Sequence, residues 1–139
     1  MRRRSFLVAG AICAVAGGWV YLNANATPSN VRLHAATGTE LANDDTTVLV
    51  DIRRPEEWKQ TGVVEGALLV TYKDADSFLE AVGPHLKPGQ SLSLICRSGN
   101  RTSRAARQVA AAIPDIEVID IAGGMLRVMQ EGYQPVRPQ

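Results

Sequence analysis

The residues that could do chemistry in this chain are concentrated in one stretch, Cys96-Arg97-Ser98-Gly99-Asn100-Arg101-Thr102. A thiol becomes a useful nucleophile when its surroundings stabilise the thiolate, and this stretch supplies the means. Arg97 and Arg101 are permanent positive charges, and Gly99 permits the positive φ that closes a tight loop. A helix starting here would aim its first backbone N–H groups and its dipole at the same point, forming an anion nest. A thiolate placed there is expected to be stabilised. Ser98, Asn100 and Thr102 offer short polar groups for the loop or for a helix cap. The alternative is a small buried hydrophobe at a strand end, where many free cysteines reside. Two arginines, a glycine and a helix start around one thiol favour the nucleophile.

Such a loop needs a buried strand before it and a helix after it, and the flanking sequence predicts both. Residues 91–95 read as a strand that delivers Cys96 to the mouth of the domain, and 102–112, rich in Ala, Arg and Gln, read as a helix closed by Pro114-Asp115. Further strands are expected at 47–50, ending at Asp51, at 67–70 after Gly66, and at 117–119. Helices are expected at 74–82, with Phe78, Leu79 and Val82 on one apolar face, and at 125–131 after Gly123-Gly124. Alternating strands and helices predict an α/β domain with a mainly parallel central sheet flanked by helices on both faces. In such sheets ligands bind beyond the carboxyl ends of the strands, where Cys96 falls.

The first 26 residues read as an address. Arg2, Arg3 and Arg4 precede an apolar run over 6–22, and Ala24 and Ala26 form a small-x-small cleavage site. Arg3-Arg4-Ser5-Phe6-Leu7 is similar to a twin-arginine export signal. The expected mature domain is 27–139, periplasmic or otherwise exported; if the signal stays uncleaved, residues 6–22 would anchor it, the one expected membrane contact. All 14 acidic residues but only 12 of the 15 basic ones lie beyond residue 26, which leaves the domain slightly acidic. That excludes a nucleic-acid partner held by phosphate neutralisation and makes any anion recognition local. Cys13 lies in the address, so Cys96 is the single thiol of the domain and no disulfide framework or internal resolving cysteine is expected. His34 and His85 stand far apart without companion ligands, so neither a metal nor a cofactor is expected.

The segment Cys-Arg-Ser-Gly-Asn-Arg resembles the active-site loop of rhodanese-domain sulfurtransferases. Asp51-Ile52-Arg53 with Glu57-Trp58, the segment from Gly62 to Ala67, and Gly123-Gly124 resemble further family signatures in the family's order. The resemblance implies that Cys96 takes a sulfane sulfur from a small anionic donor such as thiosulfate and passes it, as a persulfide, to a thiophilic acceptor, cyanide or a thiol. Residues 97–102 would cradle the sulfur and the donor, and Asp51 would support the loop from below. Glu57 would pair with Arg53 or with Arg101. The sequence departs from the family at Val63, where histidine is usual, and at Val128, where tryptophan is usual. Trp58 reads as packing, and Arg104 and Arg107 as a solvated helix face.

Two other functions use the same residues. Phosphatases and arsenate reductases of the related fold hold a tetrahedral anion in a C-x5-R loop, whereas Cys96 and Arg101 are spaced C-x4-R. A catalytically idle module that senses sulfur or redox state, or binds a partner, would keep the fold without turnover, its lone thiol open to oxidation.

Overall fold

Among the described residues every strand runs parallel to its neighbours in the sheet. The computed structural model describes residues 26–139, so the expected export segment, apart from Ala26, lies outside the described residues. The strands are β1 (Val31–His34), β2 (Thr47–Asp51), β3 (Leu68–Leu69), β4 (Ser91–Ile95) and β5 (Val118–Ile121), ordered β1-β5-β4-β2-β3. Between them lie α1 (Gly38–Asn43), α2 (Pro55–Thr61), α3 (Ala75–Val82) and α4 (Asn100–Ala112), with α5 (Gly124–Gln130) last. Among the described residues no helix is long and apolar enough to cross a membrane.

Alternation along the strands divides the core into two layers. Val50, Leu92, Leu94 and Val118 face one way and pack with Phe78 and Val82 of α3 and Ala105, Ala106, Val109 and Ala110 of α4. Leu49, Ile95, Ile119 and Ile121 face the other way and pack with Leu41 of α1 and Met125 and Val128 of α5. Each such aliphatic side chain, once fully buried, contributes about 1.5–3 kcal/mol. The sheet therefore carries helices on both faces, as the alternating pattern predicts, and Cys96 belongs to the α3/α4 layer.

Local signals set the boundaries. Asp74 caps α3, its carboxylate accepting the Ser77 N–H at 2.8 Å, so that helix begins one residue after the expected start. Thr37 and Glu40 form a capping box on α1. Helix α4 starts at Asn100, two residues earlier than predicted, because Gly99 itself is the N-cap residue at φ 93°. The expected strand over 67–70 contracts to Leu68–Leu69, and that over 117–119 becomes Val118–Ile121. The edge strand β1 alternates apolar and polar residues over only four positions, too few to stand out, and Leu33 on it is 68% exposed.

The two departures from the family pattern are both packing positions. Val63 is buried and its backbone forms an antiparallel bridge with Val136, each N–H bonding the other's carbonyl at 2.9 Å. Val128 is fully buried against the α5 face of the sheet.

Candidate functional site

Cys96 follows the last residue of β4, and the helix α5 fixes what comes next. Its first amides hold the loop's backbone: Met125 N–H donates to the Cys96 carbonyl at 2.8 Å and Leu126 N–H to the Arg97 carbonyl at 3.0 Å. This close approach requires Gly124, since a Cβ there would collide with the carbonyl groups of Cys96 and Arg97, and its φ is 57°. With those carbonyls tied outward, the chain turns through Gly99 and enters α4.

The sulfur lies inside this turn. Gly99 N–H donates to Cys96 Sγ at 3.1 Å, and the Thr102 hydroxyl stands 3.7 Å from Sγ while donating to the Gly99 carbonyl at 3.0 Å. Of the loop amides expected to surround the thiol, that of Gly99 is the one that reaches it. No side chain caps α4, so the capping role open to Ser98 and Asn100 is not used, and Thr102 is turned instead toward the sulfur. Cys96 is 0% exposed, whereas Arg97, Ser98, Asn100 and Arg101 are exposed. The thiol expected at the mouth of the domain thus sits beneath its rim.

The two carboxylates singled out in the sequence choose different arginines. Asp51 and Arg53 form a buried pair, 0% and 1% exposed, in which the guanidinium donates to both carboxylate oxygens at 2.7 to 3.0 Å. Arg53 also donates to Thr61 Oγ1 and to the Gly62 carbonyl, closing the end of α2. Asp51 therefore supports α2 through Arg53, and no hydrogen bond joins its carboxylate to residues 97–101. Glu57 takes Arg101 in a two-point pair at 2.6 and 2.7 Å and accepts the Arg54 N–H at 3.0 Å. These contacts, the Arg101 guanidinium above all, lower the Glu57 pKa from 4.5 to about 2 against the opposing effect of burial.

Two clefts flank the loop. One, about 330 Å³, lies between α2 and α5 and is lined by Glu57, Arg97, Met125, Leu126 and Met129 among others. The other, about 440 Å³, lies between the chain after β3 and helix α4, and Arg54, Lys73, Arg101 and Arg104 line it. Sequence reading assigned Arg104 to a solvated face and passed over Arg54 and Lys73; three distant segments must fold together before they form a group. It also passed over Asp120, buried on β5 with Oδ1 lacking any hydrogen-bond partner. Burial raises the Asp120 pKa, opposed by the Thr102 hydroxyl and the Arg107 charge. Among the described residues no three His, Cys, Asp or Glu side chains cluster as a metal site.

A parallel five-stranded sheet with a cysteine loop at the end of its central strand defines a class of protein, and residues 35–134 match the Rhodanese-like domain. The chain belongs to that family. It is 29% identical over 118 residues to an uncharacterised protein of Synechocystis, an alignment covering 82% of this chain and 60% of that one, so the chain spans about three fifths of that relative. Its fold is similar to a rhodanese-related protein of Thermoplasma volcanium, with TM-score 0.53 and 21% identity over 72% of this chain and 94% of that one. It is also similar to a Rhodopseudomonas palustris protein of unknown function described as a possible tyrosine phosphatase. There the TM-score is 0.59 and identity 19% over 98% of this chain and all of that one.

Proposed function

We propose that this protein is a sulfurtransferase in which Cys96 carries sulfur between a small anionic donor such as thiosulfate and a thiophilic acceptor, cyanide or a thiol. The observation that carries the reading is the Gly99 N–H on Cys96 Sγ at 3.1 Å, inside a loop whose outer residues include Arg97 and Arg101. The Cys96 thiolate attacks the outer sulfur of thiosulfate. A new S–S bond forms, the old one breaks, and sulfite leaves with its electron pair. The acceptor then attacks the outer sulfur of the persulfide, and the electron pair of that S–S bond returns to Cys96 as thiolate. Neither half needs an external oxidant, a metal or an acid/base dyad. Because the sulfur is covered, the groups over it must move aside to admit the donor.

Loop size favours sulfur over phosphate. The six-residue ring from Cys96 to Arg101 turns its Gly99 amide onto the cysteine sulfur itself, which suits a single added sulfur atom. A ring one residue longer would suit a tetrahedral oxyanion. Thiosulfate is expected to add the mass of one sulfur to the protein and cyanide to remove it, with neither change in Cys96→Ser. The result is read by intact mass spectrometry beside a p-nitrophenyl phosphate assay. Persulfide formation in the variant would end the assignment to Cys96, and robust Cys96-dependent release of nitrophenol would replace sulfur transfer by phosphate hydrolysis. A wild type inert in both assays would favour the idle module.

A further inference from the structure

The cleft between α4 and the chain after β3 is a concave surface lined by four cations and no carboxylate. Arg101 is neutralised by Glu57, but Arg54, Lys73 and Arg104 are exposed, and none of them makes a salt bridge among the described residues. The carboxylate next to Lys73 in sequence, Asp74, is engaged in capping α3. The basic lining continues into a shallower depression formed by Ser103, Arg104 and Arg107. On a slightly acidic domain this is a local concentration of positive charge, and like charges around a low-dielectric wall focus their field into the space between them.

The walls are fixed before any ligand arrives. Thr71 Oγ1 donates to the Arg53 carbonyl at 2.8 Å and Tyr72 N–H to the Ile52 carbonyl at 3.2 Å, which holds the 71–73 segment against β2. Tyr72 OH then donates to Gln108 Oε1 of α4 at 2.7 Å and ties the two sides together. A volume of about 440 Å³ is the size of a small-molecule site and too small for a folded partner. Asn100 and Arg101 belong both to this lining and to the cysteine loop, so a ligand held here lies against the outer side of the loop that holds Cys96.

We infer that this cleft binds the tail of the sulfur acceptor, and that the acceptor is a small organic thiol carrying two or more negative charges. The inference rests on the sulfurtransferase reading and deepens it. The loop accommodates the donor anion, and Arg54, Lys73 and Arg104 hold the acceptor's anionic groups while its thiolate attacks the outer sulfur of the Cys96 persulfide. The acceptor leaves as a persulfide and Cys96 as a thiolate.

Two measurements separate this from the underlying reading. Protein loaded with thiosulfate is discharged by mercaptosuccinate, a dicarboxylate thiol, or by uncharged 2-mercaptoethanol at matched thiolate concentration. The mercaptosuccinate rate constant is expected to exceed the other at least tenfold in low salt. That ratio should drop tenfold or more in Arg54→Gln/Lys73→Gln/Arg104→Gln and shrink in high salt. In parallel, succinate and 2-(methylthio)succinate are titrated calorimetrically into Cys96→Ser, where binding needs no turnover, and the triple variant in that background should lose it. An unchanged ratio with no diacid binding would overturn the proposal even if a persulfide forms. Diacid binding in a protein that never forms a persulfide would retain the cleft and remove only the sulfur chemistry. Binding of a hexaglutamate peptide without binding of either diacid would give the cleft to a protein segment and overturn the small-ligand assignment.

Discussion

On the α2 side of the cysteine loop the charges at Asp51, Arg53, Glu57 and Arg101 are all matched, whereas on the α4 side Arg54, Lys73 and Arg104 make no salt bridge among the described residues, and Asp120 on β5 has an oxygen without a hydrogen-bond partner. The matched side anchors the end of α2 and the outer arginine of the loop, which makes it a support. The unmatched side leaves charge free of salt bridges at a concave surface, the feature from which the acceptor cleft is inferred. The same residue types thus divide by pairing: an arginine with all its donors committed is structural, and one without a partner is available. Position relative to the cysteine does not make this distinction, since both sides touch the same six-residue loop.

The largest test of the comparison removes the deepest pair. Arg53→Met leaves the Asp51 carboxylate 0% exposed and uncompensated, and it also strips the Thr61 hydroxyl and Gly62 carbonyl of a donor. A loss of about 3–5 kcal/mol is expected in urea unfolding. Asp51→Leu combined with Arg53→Met should recover much of it, because the cost comes from the stranded charge more than from the missing attraction. A double variant as unstable as the single one would show instead that the Arg53 contacts to α2 are the support.

The next effect is smaller and depends on pH. Glu57 has its pKa lowered from 4.5 to about 2, chiefly by Arg101, so its pairing contributes fully above about 4.5 and is lost as pH falls toward 2. Arg101 is 42% exposed on its side chain, so solvent screens the pair and Glu57→Gln should cost about 1 kcal/mol at neutral pH. Unfolding curves of the two proteins should converge between pH 4.5 and 2. A difference that persists at pH 2 would mean the side chain matters by shape, not charge.

Much of this was legible in the sequence where a residue's role follows from its neighbours along the chain. The β4-loop-α4 unit, the need for positive φ at Gly99 and the parallel sheet all rest on local spacing and periodicity. The choice of partner for Glu57 was not legible, because Arg53 and Arg101 are equally good arginines until the fold sends one inward to Asp51. The cleft was hidden for the same reason: Arg54, Lys73 and Arg104 come from three segments, and each alone reads as a solvated charge. Helices α1 and α2, of six and seven residues, are too short for periodicity to stand out, and caps define their ends better than apolar faces do.

The smallest expected effect concerns Asp120, the counterpart of Asp51 on the unmatched side. Its carboxylate is 6% exposed, Oδ1 has no partner, and burial raises its pKa. A raised carboxyl pKa means that the folded state disfavours the charged form. The penalty is therefore absent below the unfolded pKa and grows as pH rises from there through the folded one. The Thr102 hydroxyl offsets it only in part, because its proton goes to the Gly99 carbonyl in the turn that holds the sulfur. In Asp120→Asn the charge is gone, and the new amide can donate to the Thr102 oxygen without disturbing that bond. The variant should gain on the order of 0.5 kcal/mol at neutral pH and nothing at pH 3, the reverse of the sign expected for either paired carboxylate. Equilibrium unfolding at the two pH values decides it. Asp120→Asn destabilised at neutral pH would show that this carboxylate has a favourable partner after all, and the contrast between the two sides of the loop would then rest on the cleft alone.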